Sequence, residues 1–138
     1  MRTCTRRLEF DYGHRLVNHE GKCVNVHGHR GVVEVTCAAE SLDDVGRVID
    51  FGKIKALVGG WLDTQWDHGF IAQDGDPIIA WLDDANMKSY ILFDPPTAEN
   101  LSAYLYKIAV VLLEPDGIKV VRVKFNETPN CYAVYEGD

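Results

Sequence analysis

Four of the chain's five histidines, together with one of its four cysteines, lie between His14 and His29. His27 and His29 are separated by one glycine, and residues i and i+2 of a strand point to the same face. That glycine lets the backbone approach closely because it has no side chain. A third imidazole, from His14 or His19, would complete a three-histidine site with an open fourth position, as catalytic zinc uses. The stretch therefore predicts a metal centre on one face of a strand.

Cys23 lies inside the same stretch and leaves two interpretations open. As a fourth ligand, its sulfur would close the site around a structural zinc ion. As a thiolate activated by the nearby cation and by Lys22, it would instead take part in chemistry. Structural zinc usually stabilises a small, loop-rich chain that lacks a hydrophobic core. A chain with 46% hydrophobic residues can form a core without it. We therefore favour the catalytic interpretation.

Composition predicts one globular domain over residues 1–138, with 25% charged residues. Apolar runs are too short to span a membrane, and the N-terminus lacks the apolar segment of a signal peptide, so no membrane partner is expected. The net charge of -7 argues against nucleic acid or an anionic membrane as a partner. The four cysteines form no C-x-x-C pair, which predicts free thiols in a reducing, cytoplasmic setting.

Apolar periodicity predicts the secondary structure. Alternating or short apolar runs predict strands at residues 3–12, 27–39, 90–93, 118–127 and 131–136. Apolar residues at helical spacing predict a helix after Asp50, a short helix from Pro77 to about Asn86, and a longest helix capped by Thr97. This order is typical of an α+β domain with an antiparallel sheet and helices on one face.

Two of these strands carry polar side chains at one end, on the same face as apolar residues. In an unbroken second strand, His27 and His29 point inward with the valines that follow them. In the strand at 118–127, Glu127 ends a row of one parity formed by Val121, Val123 and Phe125. Because burying an unpaired carboxylate is costly, we expect Glu127 to have a partner.

Five motifs follow one another along the chain. They are His14 followed by Cys23-x3-His27-Gly28-His29, then Ile49-Asp50-Phe51, Asp67-His68, Pro96-Thr97-Ala98-Glu99-Asn100, and Glu127-Thr128 ahead of Tyr132-Ala133-Val134-Tyr135. Each motif alone is weakly specific, but the set in this order resembles the 6-pyruvoyl-tetrahydropterin synthase / 6-carboxy-5,6,7,8-tetrahydropterin synthase family. The resemblance runs from Phe10 to Tyr135 and so covers nearly the whole chain.

The resemblance implies the tunnelling fold, in which a four-stranded antiparallel sheet carries two main helices on one face. Subunits of that family join their sheets into a barrel as a ring of three. Two rings stack into a homohexamer, a dimer of trimers, and the active sites lie between subunits. Joining of this kind would cover the edge strands predicted here.

The resemblance also implies roles for individual residues. Those matching the family's Zn2+ ligands are His14, His27 and His29. Those matching its catalytic set are the thiol of Cys23 and the pair Asp67 and His68. Those matching its substrate-binding groups are Glu127, which anchors the pterin ring, and Thr97 and Glu99, which lie in a motif near the ligand pocket. His19 matches no ligand, and we interpret it as a loop histidine.

This sequence departs from the family pattern at two places. Arg30-Gly31 stands where the family often has an aromatic residue soon after His-Gly-His. After Asp67-His68 the chain continues with Gly69-Phe70-Ile71 in place of the usual Leu-Asn. Neither change removes a catalytic group, and both bear on the shape of the side pocket and hence on the substrate.

The activity implied is that of a zinc-dependent lyase. It would convert 7,8-dihydroneopterin triphosphate into 6-carboxy-5,6,7,8-tetrahydropterin, with loss of acetaldehyde and triphosphate, in 7-deazaguanine (queuosine-type) biosynthesis. Three residues separate Cys23 from His27, a spacing that resembles the carboxy-forming members, since the pyruvoyl-forming members typically have four. The alternatives are a 6-pyruvoyl-tetrahydropterin synthase, a non-catalytic module whose zinc is closed off by Cys23, and a pterin- or purine-binding relative with changed chemistry.

Overall fold

The computed structural model describes residues 1–137, which form one six-stranded sheet and three helical regions. The strands are β1 (Arg2–His14), β2 (His27–Ala39), β3 (Gly69–Gln73), β4 (Ser89–Leu92), β5 (Lys119–Thr128) and β6 (Cys131–Glu136). Their order across the sheet is β4-β3-β1-β2-β5-β6. Within the described residues, no helix is both long enough and apolar enough to cross a membrane.

β1 and β2 form the long antiparallel pair at the centre of the sheet. Leu8, Phe10 and Tyr12 of β1 are buried, as are Val33 and Val35 of β2, while the residues between them face outward. The predicted alternation of both strands is therefore confirmed. The register places the last residue of β1 opposite the first residue of β2, so histidines from two strands meet at one end of the hairpin.

Helices lie on both faces of the sheet. The helical regions at 51–65 and 98–113 pack on the face of Leu8 and Val33. The helix at 78–84 packs against Phe70 and Ala72, which point to the opposite face. The helices are α1 (Phe51–Ile54), which continues through a π-helical turn (Lys55–Gly59) into α2 (Gly60–Gln65), then α3 (Ile78–Asp84) and α4 (Ala98–Leu113). Both predicted caps are confirmed: Asp50 accepts a hydrogen bond from Gly52 N at 2.8 Å, and Thr97 accepts one from Asn100 N at 3.2 Å. Burying each large apolar side chain between helix and sheet contributes about 1.5–3 kcal/mol.

The four-stranded antiparallel sheet expected from the resemblance is wrong, because the sheet has six strands and is mixed. β3 runs parallel to β1, and β4 runs parallel to β3. β3 was not predicted, since its residues from Gly69 to Ala72 are all buried and show no alternation. The three predicted helical regions are present. Their predicted placement on one face is wrong, because α3 packs on the opposite face from the other two. The α+β class itself is confirmed.

One predicted row in β5 is also wrong. Val121 was placed on the buried face with Val123, yet Val120 is the fully buried residue and Val121 is only half-buried. A β-bulge is the cause, because Arg122 pairs with Thr36 and Val120 pairs with Cys37, which leaves Val121 without a partner in β2. One extra residue in a strand reverses the parity of everything before it.

Candidate active site

Three histidines converge at the end of the β1–β2 hairpin. The ring centroids of His14 and His27 are 4.6 Å apart, those of His27 and His29 are 4.9 Å apart, and those of His14 and His29 are 5.1 Å apart. One nitrogen from each ring lies within 4.8 Å of the others. The pairing of two long strands sets this geometry, so the three rings need no loop rearrangement to meet.

Hydrogen bonds to the backbone fix which nitrogen of each ring is available. His14 Nδ1 lies 2.8 Å from the carbonyl oxygen of Pro96, and His27 Nδ1 lies 2.7 Å from that of Asn25. A carbonyl oxygen only accepts, so each Nδ1 carries the proton and donates it. The Nε2 atom of each neutral ring therefore has a free lone pair, which is the state that binds a metal ion.

Glu127 lies directly beside these free nitrogens. Its Oε1 atom is 3.2 Å from Nε2 of His14 and 3.6 Å from Nε2 of His29. Both Nε2 atoms are buried and, among residues 1–137, neither has a partner in hydrogen-bond geometry. A carboxylate oxygen facing an imidazole lone pair needs a cation between them, either a proton or a metal ion.

The electrostatics of the site favour a cation on neutral imidazoles. Burial lowers the pKa of His29, and the neighbouring His14 and His27 lower it further, against the opposing effect of Glu127. The interaction with His14 lowers the pKa of Glu127, and that effect outweighs burial. Three imidazoles beside one carboxylate fit a divalent metal ion with a position left open, as zinc catalysis requires.

Cys23 lies apart from this ligand group. It occupies a short 3-10 turn, Lys22–Val24, where it is half-buried, and its carbonyl oxygen accepts a hydrogen bond from Leu16 N at 2.9 Å. Among residues 1–137, its sulfur does not join the nitrogens that lie within 4.8 Å of one another. The geometry therefore favours the interpretation of Cys23 as a nearby thiol over that of a fourth ligand.

Asp67 and His68 form a hydrogen-bonded pair on a bend. His68 Nδ1 lies 2.8 Å from Oδ2 of Asp67, and His68 has a left-handed φ of 57°. Two hydrogen bonds tie the pair to the backbone of Asp11: Asp11 N donates to Oδ1 of Asp67 at 2.9 Å, and His68 N donates to Asp11 O at 2.7 Å. Burial acts to raise the pKa of Asp67, but the hydrogen bonds from Asp11 and His68 outweigh it and hold that pKa low.

The structure does not place this pair with the three histidines. Asp11 points to the opposite face of β1 from His14, and its carboxylate groups with Asp67 and His68 in a second cluster of titratable side chains. The imidazole of His68 is 76% exposed. Beside it lies an apolar groove of about 600 Å³ lined by Gly13, Val26, Phe70, Ile78, Trp81, Leu82 and Met87.

The two remaining candidates for substrate binding lie at the start of α4. Thr97 uses its side chain to cap the helix, while Glu99 follows in the first turn. The preceding carbonyl, that of Pro96, is the one that orients His14. The substrate roles of Thr97 and Glu99 stay predictions. His19 is an exposed residue of the β1–β2 loop, where its Nδ1 accepts a hydrogen bond from Gly21 N at 2.8 Å.

Sequence reasoning missed the contacts that two groups make near the site. Tyr12 packs against both His14 and His29, and the alternation of β1, which puts it on the face of His14, could have identified it. Arg30 holds the carboxylate of Asp11 through two hydrogen bonds of 3.1 Å. No local sequence signal links Arg30 to Asp11, because they meet only through strand register.

A family model and named relatives match most of this chain. The family model described as 6-pyruvoyl tetrahydropterin synthase matches residues 3–138. A 6-carboxy-5,6,7,8-tetrahydropterin synthase of Rickettsia bellii is 45% identical over 132 residues, covering 94% of this chain and 96% of the relative. The protein of the same name from Aquifex aeolicus is 36% identical over 124 residues, covering 83% and 76%.

Solved structures show the same fold. An uncharacterized protein of Wolinella succinogenes superposes with a TM-score of 0.86 at 22% identity, covering 99% of this chain and 98% of that one. The 6-pyruvoyl tetrahydropterin synthase of Caenorhabditis elegans superposes with a TM-score of 0.75 at 24% identity, covering 99% and 96%. At these identities the likeness concerns the fold alone.

Proposed function

The chain belongs to the 6-pyruvoyl tetrahydropterin synthase family, and from this membership we propose that it is a lyase of the 6-carboxy-5,6,7,8-tetrahydropterin synthase type. Its substrate would be 7,8-dihydroneopterin triphosphate, and its product would serve 7-deazaguanine (queuosine-type) biosynthesis. The names and identities of the relatives support the carboxy-forming activity over the pyruvoyl-forming one. The observation that carries a zinc-dependent mechanism is the set of three imidazoles with free Nε2 atoms beside Glu127.

Four residues of this chain would bind the metal ion and orient the substrate. His14, His27 and His29 would hold Zn2+, which polarises the side-chain hydroxyl groups of the substrate when it is bound. Glu127 would accept hydrogen bonds from the amino and ring N–H groups of the pterin and so fix its orientation.

Proton transfer would fall to the second set of residues. Cys23, as a thiolate, would abstract a proton from the substrate side chain. His68 would donate or relay protons, since Asp67 accepts its Nδ1–H and leaves Nε2 directed outward. Thr97 and Glu99 would line the pocket at the start of α4.

We propose that the active site is shared between subunits of a homohexamer. An exposed His68 beside an apolar groove would act on the histidine site of a neighbouring subunit. The two sheet edges, β4 and β6, carry exposed apolar residues, among them Ile91, Tyr132 and Val134. Edge-to-edge joining of the sheets into a barrel would cover them. We also propose a cytoplasmic location, in keeping with four free cysteines.

Mass spectrometry of the products tests the activity. The zinc-loaded protein is incubated with 7,8-dihydroneopterin triphosphate, with the His27→Ala variant as the inactive control. Release of 6-carboxy-5,6,7,8-tetrahydropterin and acetaldehyde is the expected result. A pyruvoyl pterin would keep the residue roles and replace the carboxy-forming activity with the alternative. No product from zinc-loaded hexamers would contradict the proposed function and direct attention to Arg30-Gly31 and Gly69-Phe70.

A further inference from the structure

The hydroxyl group of Tyr12 is buried beside the three histidines without a hydrogen-bond partner in the part of the chain that the structure describes. Tyr12 as a whole is 4% exposed. Most buried polar side-chain atoms in proteins are paired, because an unpaired one costs about 1–3 kcal/mol. A partner for this hydroxyl is therefore expected when the site is at work.

The fold holds the Tyr12 ring in one place. Its centroid lies 5.1 Å from that of His14, in an edge-to-face arrangement, and 5.8 Å from that of His29. Tyr12 stands directly opposite His29 in the β1–β2 register. Gly31 leaves room for the ring, since a Cβ atom at that position would lie 3.1 Å from Cε1 of Tyr12. The hydroxyl is thus positioned by strand pairing and packing.

Glu127 contacts the same two imidazoles as this donor, since Tyr12 packs against the rings of His14 and His29 and Glu127 lies at their Nε2 atoms. The phenol O–H of Tyr12 is a hydrogen-bond donor, and the carboxylate of Glu127 only accepts. In the structure, Oε1 of Glu127 turns toward the free Nε2 atoms of His14 and His29. A metal ion on those nitrogens would take up the lone pairs that the carboxylate now faces, and the carboxylate could then bind the metal or turn to the substrate.

We propose that Tyr12 is a positioning residue that decides between these two states. With metal on the histidines, the Tyr12 hydroxyl donates to the carboxylate of Glu127, keeps it off the metal and holds it toward the pterin. The fourth metal position then stays open for the substrate hydroxyls. This inference rests on the proposed function, because it takes Glu127 to be the pterin anchor.

Removing the hydroxyl while keeping the ring tests the proposal. Tyr12→Phe is prepared in the wild-type and Glu127→Ala backgrounds. Two dissociation constants are measured: that of zinc, by competition with a chromophoric chelator, and that of neopterin on zinc-loaded protein, by fluorescence quenching. We expect Tyr12→Phe to bind neopterin about tenfold more weakly and zinc about tenfold more tightly, since one hydrogen bond to a charged group is worth about that factor.

The Glu127→Ala background separates positioning from packing. There, Tyr12→Phe is expected to change neither constant, because the carboxylate through which it acts is gone. Tyr90→Phe is the matched control: it removes a phenol hydroxyl that pairs with Tyr104 in a different aromatic cluster, and it should leave both constants unchanged.

Several results would overturn the proposal. Weaker binding of both zinc and neopterin in Tyr12→Phe, an equal effect without Glu127, or no effect at all would each mean that Tyr12 only fills space. Failure of the wild-type protein to bind neopterin would remove the anchor and the proposal with it. Tyr12→Phe could also bind neopterin more weakly and zinc more tightly in a protein that does not turn over 7,8-dihydroneopterin triphosphate. That result would support the pairing of Tyr12 with Glu127 and would reject only the proposed activity.

Discussion

His14 shows how a single side chain is prepared for a metal ion. Its Nδ1 atom donates a hydrogen bond to the carbonyl oxygen of Pro96. Its Nε2 atom is buried without a hydrogen-bond partner among residues 1–137 and lies 3.2 Å from Oε1 of Glu127. An unpaired buried nitrogen costs stability in the absence of a ligand, and a bound cation offsets that cost. Nδ1 of His27 makes a similar hydrogen bond to the carbonyl oxygen of Asn25, so both rings present Nε2 to one ion.

Cys23 carries the clearest prediction at this scale. Cys23→Ala should keep a full complement of zinc, because its sulfur lies outside the histidine group, and should lower turnover by about 10²–10⁴-fold, the range for losing a general base. Metal content by elemental analysis and steady-state rates check this. The exposed Cys131 provides a control, since Cys131→Ala should alter neither quantity. Zinc loss in Cys23→Ala would instead make Cys23 a ligand.

At the scale of elements, the end of β1 is held by the loop that leads into α3. Arg15 pairs with Asp76 through two hydrogen bonds, one of them from Nε at 2.9 Å, and Asp76 also accepts from Ile78 N at 2.9 Å. Asp76 is 4% exposed. These bonds link the residue that follows His14 to the helix beside the apolar groove, so they support two parts of the candidate site.

Asp76→Asn should destabilise the protein by about 2 kcal/mol at pH 7, the scale of hydrogen bonds to a charged group. The hydrogen bond from Arg15 lowers the pKa of Asp76, so its stabilisation is present above the unfolded pKa and is lost as pH falls through the lower folded pKa. The stability difference between wild type and variant should therefore shrink below about pH 4.

Urea unfolding at fixed protein concentration, repeated between neutral and acid pH, measures this difference. Asp74→Asn serves as the control, because Asp74 is exposed in the same turn and should behave like the wild type. A difference that stays constant with pH would show that the Asp76 carboxylate contributes through packing and not through its charge.

At the scale of the whole molecule, the candidate catalytic groups lie on two sides of one sheet. The three histidines and Glu127 lie on the side covered by the 51–65 helical region and α4, while the pair of Asp67 and His68 joins Asp11 on the other. A single chain therefore does not gather the full set predicted from the sequence.

Co-expression of Cys23→Ala and His68→Ala subunits tests whether neighbouring chains complete each other's sites. Each variant alone should be inactive, whereas random mixed assemblies should recover about a quarter of wild-type activity, because some interfaces combine an intact Cys23 with an intact His68. Affinity tags on the two subunits allow the mixed species to be isolated and its rate measured. Mixed assemblies without activity would contradict a shared site.

Removal of zinc should abolish activity and leave the fold intact. The core consists of apolar residues from the sheet, the 51–65 helical region and α4, and it does not depend on the histidines. Circular dichroism before and after chelation measures this, and restoring zinc should restore activity. Loss of structure on chelation would instead support the alternative of a zinc-stabilised, non-catalytic module.

Features that depend on near neighbours in the chain could be predicted from the amino-acid sequence. Alternation in β1 and β2 predicted that His27 and His29 share an inward face, and the side chains of Asp50 and Thr97 predicted where two helices begin. Strand alternation and helix capping are properties of a few consecutive residues, so they can be read locally.

Features that depend on pairing between distant residues could not be predicted in this way and are defined by the folded chain. The parallel strand β3, the bulge at Val121 and the placement of Asp67 and His68 all follow from which strands lie side by side. The partnership of Tyr12 with the histidines has the same origin, because it needs the β1–β2 register. Register and strand order are set by contacts between residues far apart in the chain, so a local sequence pattern does not predict either of them.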